Sequence, residues 1–254
     1  MSTIHFSRPS AHVALLELDN PPMNALGRAA RAALLERLDA IDADEAVRCV
    51  VLTGRGRAFC GGDDLKEQAE AQKTRSSAHL CEFGRVLERI ESYRLPVIGA
   101  INGWCLGGGL ELASVCDIRI ASTDAKFVCS GVNVGLMASA YRLPRLIGVA
   151  RAKHMLLTGS PLDAETADKF GLVTALHAPG ELTAAAIALA DRIASRAPLS
   201  VEATKRTAAL APNLSPQEAA EVNAKELSVL GKSADHKEAL AAFIAKREPV
   251  FRRA

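Results

Sequence analysis

Apolar residues along this 254-residue chain come first in short continuous runs and later at helical spacing. The runs at 12–19, 49–53 and 97–101 have strand length and are bounded by Asn, Gly or Pro. That pattern predicts strands, with the run at 97–101 buried. Ile118 with Ile120, and Phe127 with Val128, predict two more. Between the runs, Leu34, Leu35, Leu38 and Ile41 predict an amphipathic helix after the turn Asn20-Pro21-Pro22-Met23-Asn24. Leu80, Phe83, Leu87 and Ile90 predict another over about 79–93, and helices also start near Leu65 and Leu110. Residues 144–150 read as a turn and a helix start, and Asp163 caps a short helix that stops before Gly171. From Leu182 onward the chain is helical, with stops at Pro198 and near Pro212. Ser215-Pro216-Gln217-Glu218 joins capping-box spacing to Pro at the first helical position, and Gly231 ends that helix. Asp235 and Glu238 can start the last one, whose stripe is Leu240, Phe243 and Ile244. The pattern predicts an α/β core over 1–197 and a helical region over 198–254.

Two of the strand runs lead into glycine turns. Residues 97–101 continue through Asn102-Gly103 to Gly107-Gly108-Gly109, and 49–53 continue to Gly61-Gly62-Asp63-Asp64. Without a Cβ, glycine lets the backbone approach a ligand closely. A helix that follows at once presents unpaired N–H donors to negative charge. If the helix after Asp64 returns the chain so that 97–101 runs parallel to 50–53, both turns reach one sheet edge. Two N–H groups can then converge on one oxygen, the geometry of an oxyanion hole. The alternative is that these glycines only permit tight turns.

Composition narrows the chemistry. Lys and Arg (31) nearly balance Asp and Glu (29) and are spread along the chain, which argues against nucleic acid as a partner. The six cysteines, at 49, 60, 81, 105, 116 and 129, form no Cys-x-x-Cys pair, so reduced thiols and a cytoplasmic setting are expected, without structural zinc. The six histidines have no metal spacing. No signal peptide is evident, and Asn102, Glu111 and the glycines argue against a membrane span at 95–116.

Several ordered motifs carry a resemblance. They are residues 58–67 (Ala-Phe-Cys-Gly-Gly-Asp-Asp-Leu-Lys-Glu), 96–103, Gly107-Gly108-Gly109-Leu110-Glu111-Leu112-Ala113, Cys116-Asp117-Ile118, 142–148, 157–159 and 167–173. In content and order they resemble the enoyl-CoA hydratase/isomerase (crotonase) superfamily over nearly the whole chain. The resemblance implies a (ββα)n spiral core with a C-terminal helical region that assembles homotrimers or hexamers. It implies an acyl-CoA thioester as substrate, an enolate intermediate, and no metal or redox cofactor. Gly61 and Gly108 would supply the oxyanion N–H groups, and Glu111 would be an acid/base, or a carboxylate facing free helix N–H groups, or both. Ala58, Cys60, Asp64, Leu65, Trp104, Gly131 and Met137 would border the substrate. Asp64 also reads as a helix N-cap, and Trp104 and Met137 as packing. The polar stretch 69–78 would cover the acyl pocket. Lys66, Lys205 or Arg206 could meet CoA phosphates from this or a neighbouring subunit, and each singly reads first as an ordinary solvated cation.

The departure from the family pattern is at Gly131. In Phe127-Val128-Cys129-Ser130-Gly131-Val132-Asn133-Val134-Gly135, spacing puts Gly131 where hydratases carry a second glutamate. A glycine donates no side-chain proton. Water, bicarbonate, or a neighbour among Asp63, Asp64, Asn133 and Tyr141 would have to fill the role. Hydration of a 2-trans-enoyl-CoA is expected, with double-bond isomerisation or acyl-CoA binding without turnover as alternatives.

Overall fold

The computed structural model describes residues 3–73 and 78–254, without the side chains of residues 71–81. The chain opens with β1 (Thr3–Ser10) and β2 (Val13–Asp19), an antiparallel pair. Helix α1 (Arg28–Asp42) then carries it back to β3 (Cys49–Gly54), parallel to β2. The next elements are β4 (Ala58–Cys60), α2 (Leu65–Lys73), α3 (Ala78–Glu91), β5 (Val97–Ile101), β6 (Trp104–Leu106), α4 (Gly108–Val115), β7 (Ile118–Ser122) and β8 (Lys126–Val128). There follow α5 (Arg142–Ile147), α6 (Val149–Thr158), β9 (Leu162–Asp163), α7 (Ala164–Phe170), β10 (Leu176–His177) and α8 (Leu182–Ala194). The C-terminal part is α9 (Pro198–Leu210), α10 (Pro216–Leu230) and α11 (Ala234–Ala245).

Among the described residues the strands form two sheets, β1-β2-β3-β5-β7-β10 and β4-β6-β8-β9. In the larger one, period-two alternation sorts side chains to opposite faces. Ala14, Leu16 and Leu18 of β2 join Leu34 and Leu38 of α1 in the main core. Val13 and Leu15 face the other way, against Leu182, Ala186, Ala190 and Ala194 of α8. That fourfold spacing of mostly alanines gives α8 a narrow buried stripe, which suits close approach to a sheet. Both faces of β3 and β5 are therefore covered, as their unbroken apolar runs require.

The strand at 97–101 does run parallel to 50–53, with Val50 opposite Val97 and Thr53 opposite Ala100. The glycine turns, however, leave from the smaller sheet. Between Gly103 and Gly107 the chain makes β6, which pairs in parallel with β4 and β8. Three-residue strands are too short to show a period, so sequence pattern passes over them. Strand β1 escapes it for another reason: most of its side chains are exposed, so it carries no apolar alternation.

Some expected helix details change. Leu35 is only partly buried, whereas Arg31 of α1 is buried and donates to Asp63. Residues 142–158 form two helices broken at Gly148, whose φ of 79° ends α5 and starts α6. The capping box at Ser215 is made in both directions. Ser233, and not Asp235, caps α11 by accepting from the His236 N–H at 3.0 Å. Asp235 is buried and accepts from the Arg252 and Arg253 N–H groups at 2.7 and 3.0 Å, which fastens the C-terminal residues to the start of α11. Leu80 lies outside the described side chains. Helix α10 has no buried residue, and Leu227, Phe243 and Ile244 are exposed at 68%, 83% and 81%. Among the described residues no helix is long and apolar enough to cross a membrane.

Candidate active site

Two strand–turn–helix units stand side by side, β4 into α2 and β6 into α4. Gly62 (φ 87°) and Gly107 (φ 49°, ψ −114°) hold backbone conformations that L side chains rarely adopt. The units meet backbone on backbone. A Cβ on Gly62 would lie 2.6 Å from the Gly108 nitrogen, and one on Gly109 would overlap the carbonyl of Cys60. The start of α4 is thus pressed onto the β4 turn. It has no side-chain cap: the Leu110 and Glu111 N–H groups both return to the Gly107 carbonyl, at 3.0 and 3.1 Å. Among the described residues the Gly61 and Gly108 N–H groups donate to no acceptor.

Both glycines line a cavity of about 340 Å³. Leu65 and Gln68 come to it from α2, Phe83, Gly84 and Leu87 from α3, and Glu111 from α4. The segment after β8 supplies Ser130, Gly131, Val134, Leu136, Met137 and Ala138. The lining is mainly apolar, with a few polar groups, as ligand sites usually are.

Glu111 is held from one side. Its Oε1 accepts the Ser139 N–H at 2.7 Å. Ser139 sits in the left-handed region (φ 59°), is buried, and its hydroxyl has no partner among the described residues. Nearby, burial pushes the Cys129 thiol up to about 12, and the negative charge of Glu111 adds to that. At Gly131 main chain stands close. A Cβ there would lie 3.0 Å from both the Ala138 nitrogen and the Leu136 oxygen, and the Leu136 N–H donates to the Gly131 carbonyl at 2.8 Å.

A family model described as enoyl-CoA hydratase/isomerase matches residues 8–254. The chain belongs to the enoyl-CoA hydratase/isomerase family. It is similar to (E)-benzylidenesuccinyl-CoA hydratase of Thauera aromatica, at 39% identity over 248 residues covering 96% of each chain. It also resembles crotonyl-CoA hydratase of Syntrophomonas wolfei, at 34% identity over 94% of each chain. The crystal structure of an enoyl-CoA hydratase from Bacillus anthracis superposes with a TM-score of 0.95, at 32% identity and 99% coverage of both chains.

Within this member of the family, Gly61, Gly108, Glu111, Leu65, Gly131 and Met137 come together at the cavity. Ala58 and Cys60 are buried in β4, and Trp104 on β6 is 36% exposed; none of the three lines the cavity. Asp64 caps α2, accepting the Lys66 and Glu67 N–H groups at 2.9 and 3.4 Å. Of the neighbours proposed to replace the second glutamate, Asp63 lines the cavity and pairs with Arg31. Asn133 instead donates to the Gly159 carbonyl at 3.0 Å, and Tyr141 stacks beneath Arg145. Lys205 is turned inward to Asp117 (2.8 Å) and the Leu95 carbonyl, and Arg206 pairs with Glu226, so neither is a ready phosphate contact. Lys66 is exposed on α2. Residues 74–77 of the expected pocket cover lie outside the described residues.

Sequence reading passed over Phe83 and Leu87 as cavity walls because their helical spacing already accounted for them as core. It passed over Ser130 and Ser139 because isolated serines carry no pattern.

Ser139→Gly keeps the N–H that holds Glu111, suits φ 59° and removes a buried unpartnered hydroxyl. It should therefore raise stability by ~1 kcal/mol in chemical denaturation, despite the greater freedom of glycine in the unfolded chain. A clear loss of stability would show that the hydroxyl is satisfied in solution.

Proposed function

We propose that this protein adds water across the α,β double bond of a 2-trans-enoyl-CoA. The observation that carries the reading is a pair of glycine N–H groups without an acceptor among the described residues, on the same mainly apolar cavity as the Glu111 carboxylate that the Ser139 N–H holds. The Gly61 and Gly108 N–H groups donate to the thioester carbonyl oxygen. Water attacks the β-carbon while Glu111 takes its proton, and the π electrons pass to the thioester oxygen as an enolate. Glu111 then returns that proton to the α-carbon, so one water is consumed and the carboxylate is restored. Removing one donor of such a pair typically costs roughly 100- to 1,000-fold in rate. The reaction needs no metal or redox cofactor, and bicarbonate is the external group to add when Gly131 leaves a second acid wanting. Leu65, Phe83, Leu87 and Met137 suit an apolar acyl group.

Gly131 favours a second reading, double-bond isomerisation, in which the single carboxylate of Glu111 moves a proton between two carbons. The exposed apolar side chains of α10 and α11 support assembly as a homotrimer or a hexamer. The setting proposed is the cytoplasm, with no nucleic-acid or membrane partner.

Glu111→Gln retains an oxygen for the Ser139 N–H but cannot take a proton. Its kcat on a short enoyl-CoA should fall at least ~100-fold with binding preserved; unchanged turnover would overturn the assignment. Acyl-CoA binding by the parent with no turnover, even with bicarbonate added, would leave only a binding protein. Sedimentation should give the mass of three or six chains, and a monomer at micromolar concentration would contradict the assembly.

A further inference from the structure

Ser130 is a polar group at the cavity that the mechanism above leaves unused. It follows β8 and opens the 3-10 turn Ser130–Val134, beside the bare Gly131. Its Oγ lies 2.6 Å from the point where Gly107 would carry a Cβ, so it occupies room that only a glycine at 107 leaves. Gly107 directly precedes Gly108 and accepts the Glu111 N–H through its carbonyl, which brings Ser130 to the same helix start as both groups. The other polar side chains that bear charge here are engaged: Glu111 accepts from Ser139, and Asp63 pairs with the buried Arg31. The Ser130 hydroxyl, by contrast, has no hydrogen-bond partner among the described residues. It is half-buried, where a polar group facing a ligand or water avoids the cost of going unpaired.

Resting on the hydratase reading, we infer that Ser130 is a second catalytic residue: its hydroxyl and the Glu111 carboxylate hold the attacking water between them. Ser130 accepts one O–H of that water, and Glu111 accepts the other. A lone pair of the water oxygen is thereby turned to the β-carbon. The oxygen–β-carbon bond forms as the proton passes to Glu111, and the π pair goes to the thioester oxygen. Ser130 keeps its own proton throughout, so no further acid, oxidant or reductant is required. A hydroxyl in this role replaces the orienting part of a second carboxylate without its acidity, which fits a cavity where Gly131 carries no side chain and the backbone of residues 136–138 stands close.

The test compares the parent with Ser130→Ala and Ser130→Thr in two reactions. One is hydration of crotonyl-CoA; the other is exchange of the α-protons of butyryl-CoA in D2O, which needs the thioester clamp and Glu111 but no bound nucleophile. Ser130→Ala should lower the hydration kcat by ~10- to 100-fold with KM changed less than ~3-fold, while exchange persists. Ser130→Thr, which keeps the hydroxyl, should recover most of the hydration. Hydration by Ser130→Ala at the parent rate would overturn the assignment. An equal fall in hydration and exchange would do so too, since it would mark Ser130 as a structural support. A parent that hydrates nothing would overturn the hydratase reading itself, and this assignment with it, before any variant is compared.

Discussion

Backbone touches backbone where α4 begins, and the site depends on that contact. Gly109 lies against the Cys60 carbonyl and Gly62 against the Gly108 nitrogen, at separations that no side chain permits. The contact is set by pairing as well as by glycine, since β4 and β6 are parallel neighbours in the smaller sheet. Each strand ends in a turn that only its glycines can make, and the two turns stack. Two N–H groups without acceptors among the described residues are thereby brought to one cavity by main chain alone. Such donors keep their positions without side-chain ordering, which is what preorganised stabilisation of a developing oxyanion requires.

The remaining chemistry is built on that helix start. Glu111 leaves the first turn of α4, and the Ser139 N–H fixes one of its oxygens. The chain from Gly131 to Ser139 does two things at once. It crowds the space beside Gly131, through the Leu136 and Ala138 backbone, and it delivers the N–H that holds Glu111. Gly131 is therefore packed beside main chain, and the proposed chemistry runs through one carboxylate. The buried thiols fit this picture as packing. Burial pushes Cys60 and Cys116 up to about 12, which leaves them as inert thiols at neutral pH.

Long apolar runs and glycine turns were legible from sequence, because burial on both faces of β3 and β5 leaves an unbroken apolar signature. The same holds for α1, α3 and the capping box at Ser215. Strands β4, β6 and β9 were not legible, since two or three residues carry no period and their pairing is decided by tertiary contact. Of the site, the glycine turns were marked by their place between strand and helix, whereas Glu111 and the bare Gly131 were picked out through the family resemblance. Lys205 misled because a cation in a helical tail looks solvated, whereas the fold buries it against Asp117. Ser130 and Ser139 were invisible because what distinguishes them is position, one beside the Cα of Gly107 and the other at a left-handed φ over Glu111.

The central claim is that two glycine N–H groups polarise one thioester oxygen. Isotope-edited infrared spectroscopy tests it directly, using crotonyl-CoA carrying ¹³C at the thioester carbonyl and bound to Glu111→Gln so that turnover is slow. The account predicts a carbonyl stretch at lower frequency in the complex than for the same thioester in water. A frequency equal to or above that in water would contradict it.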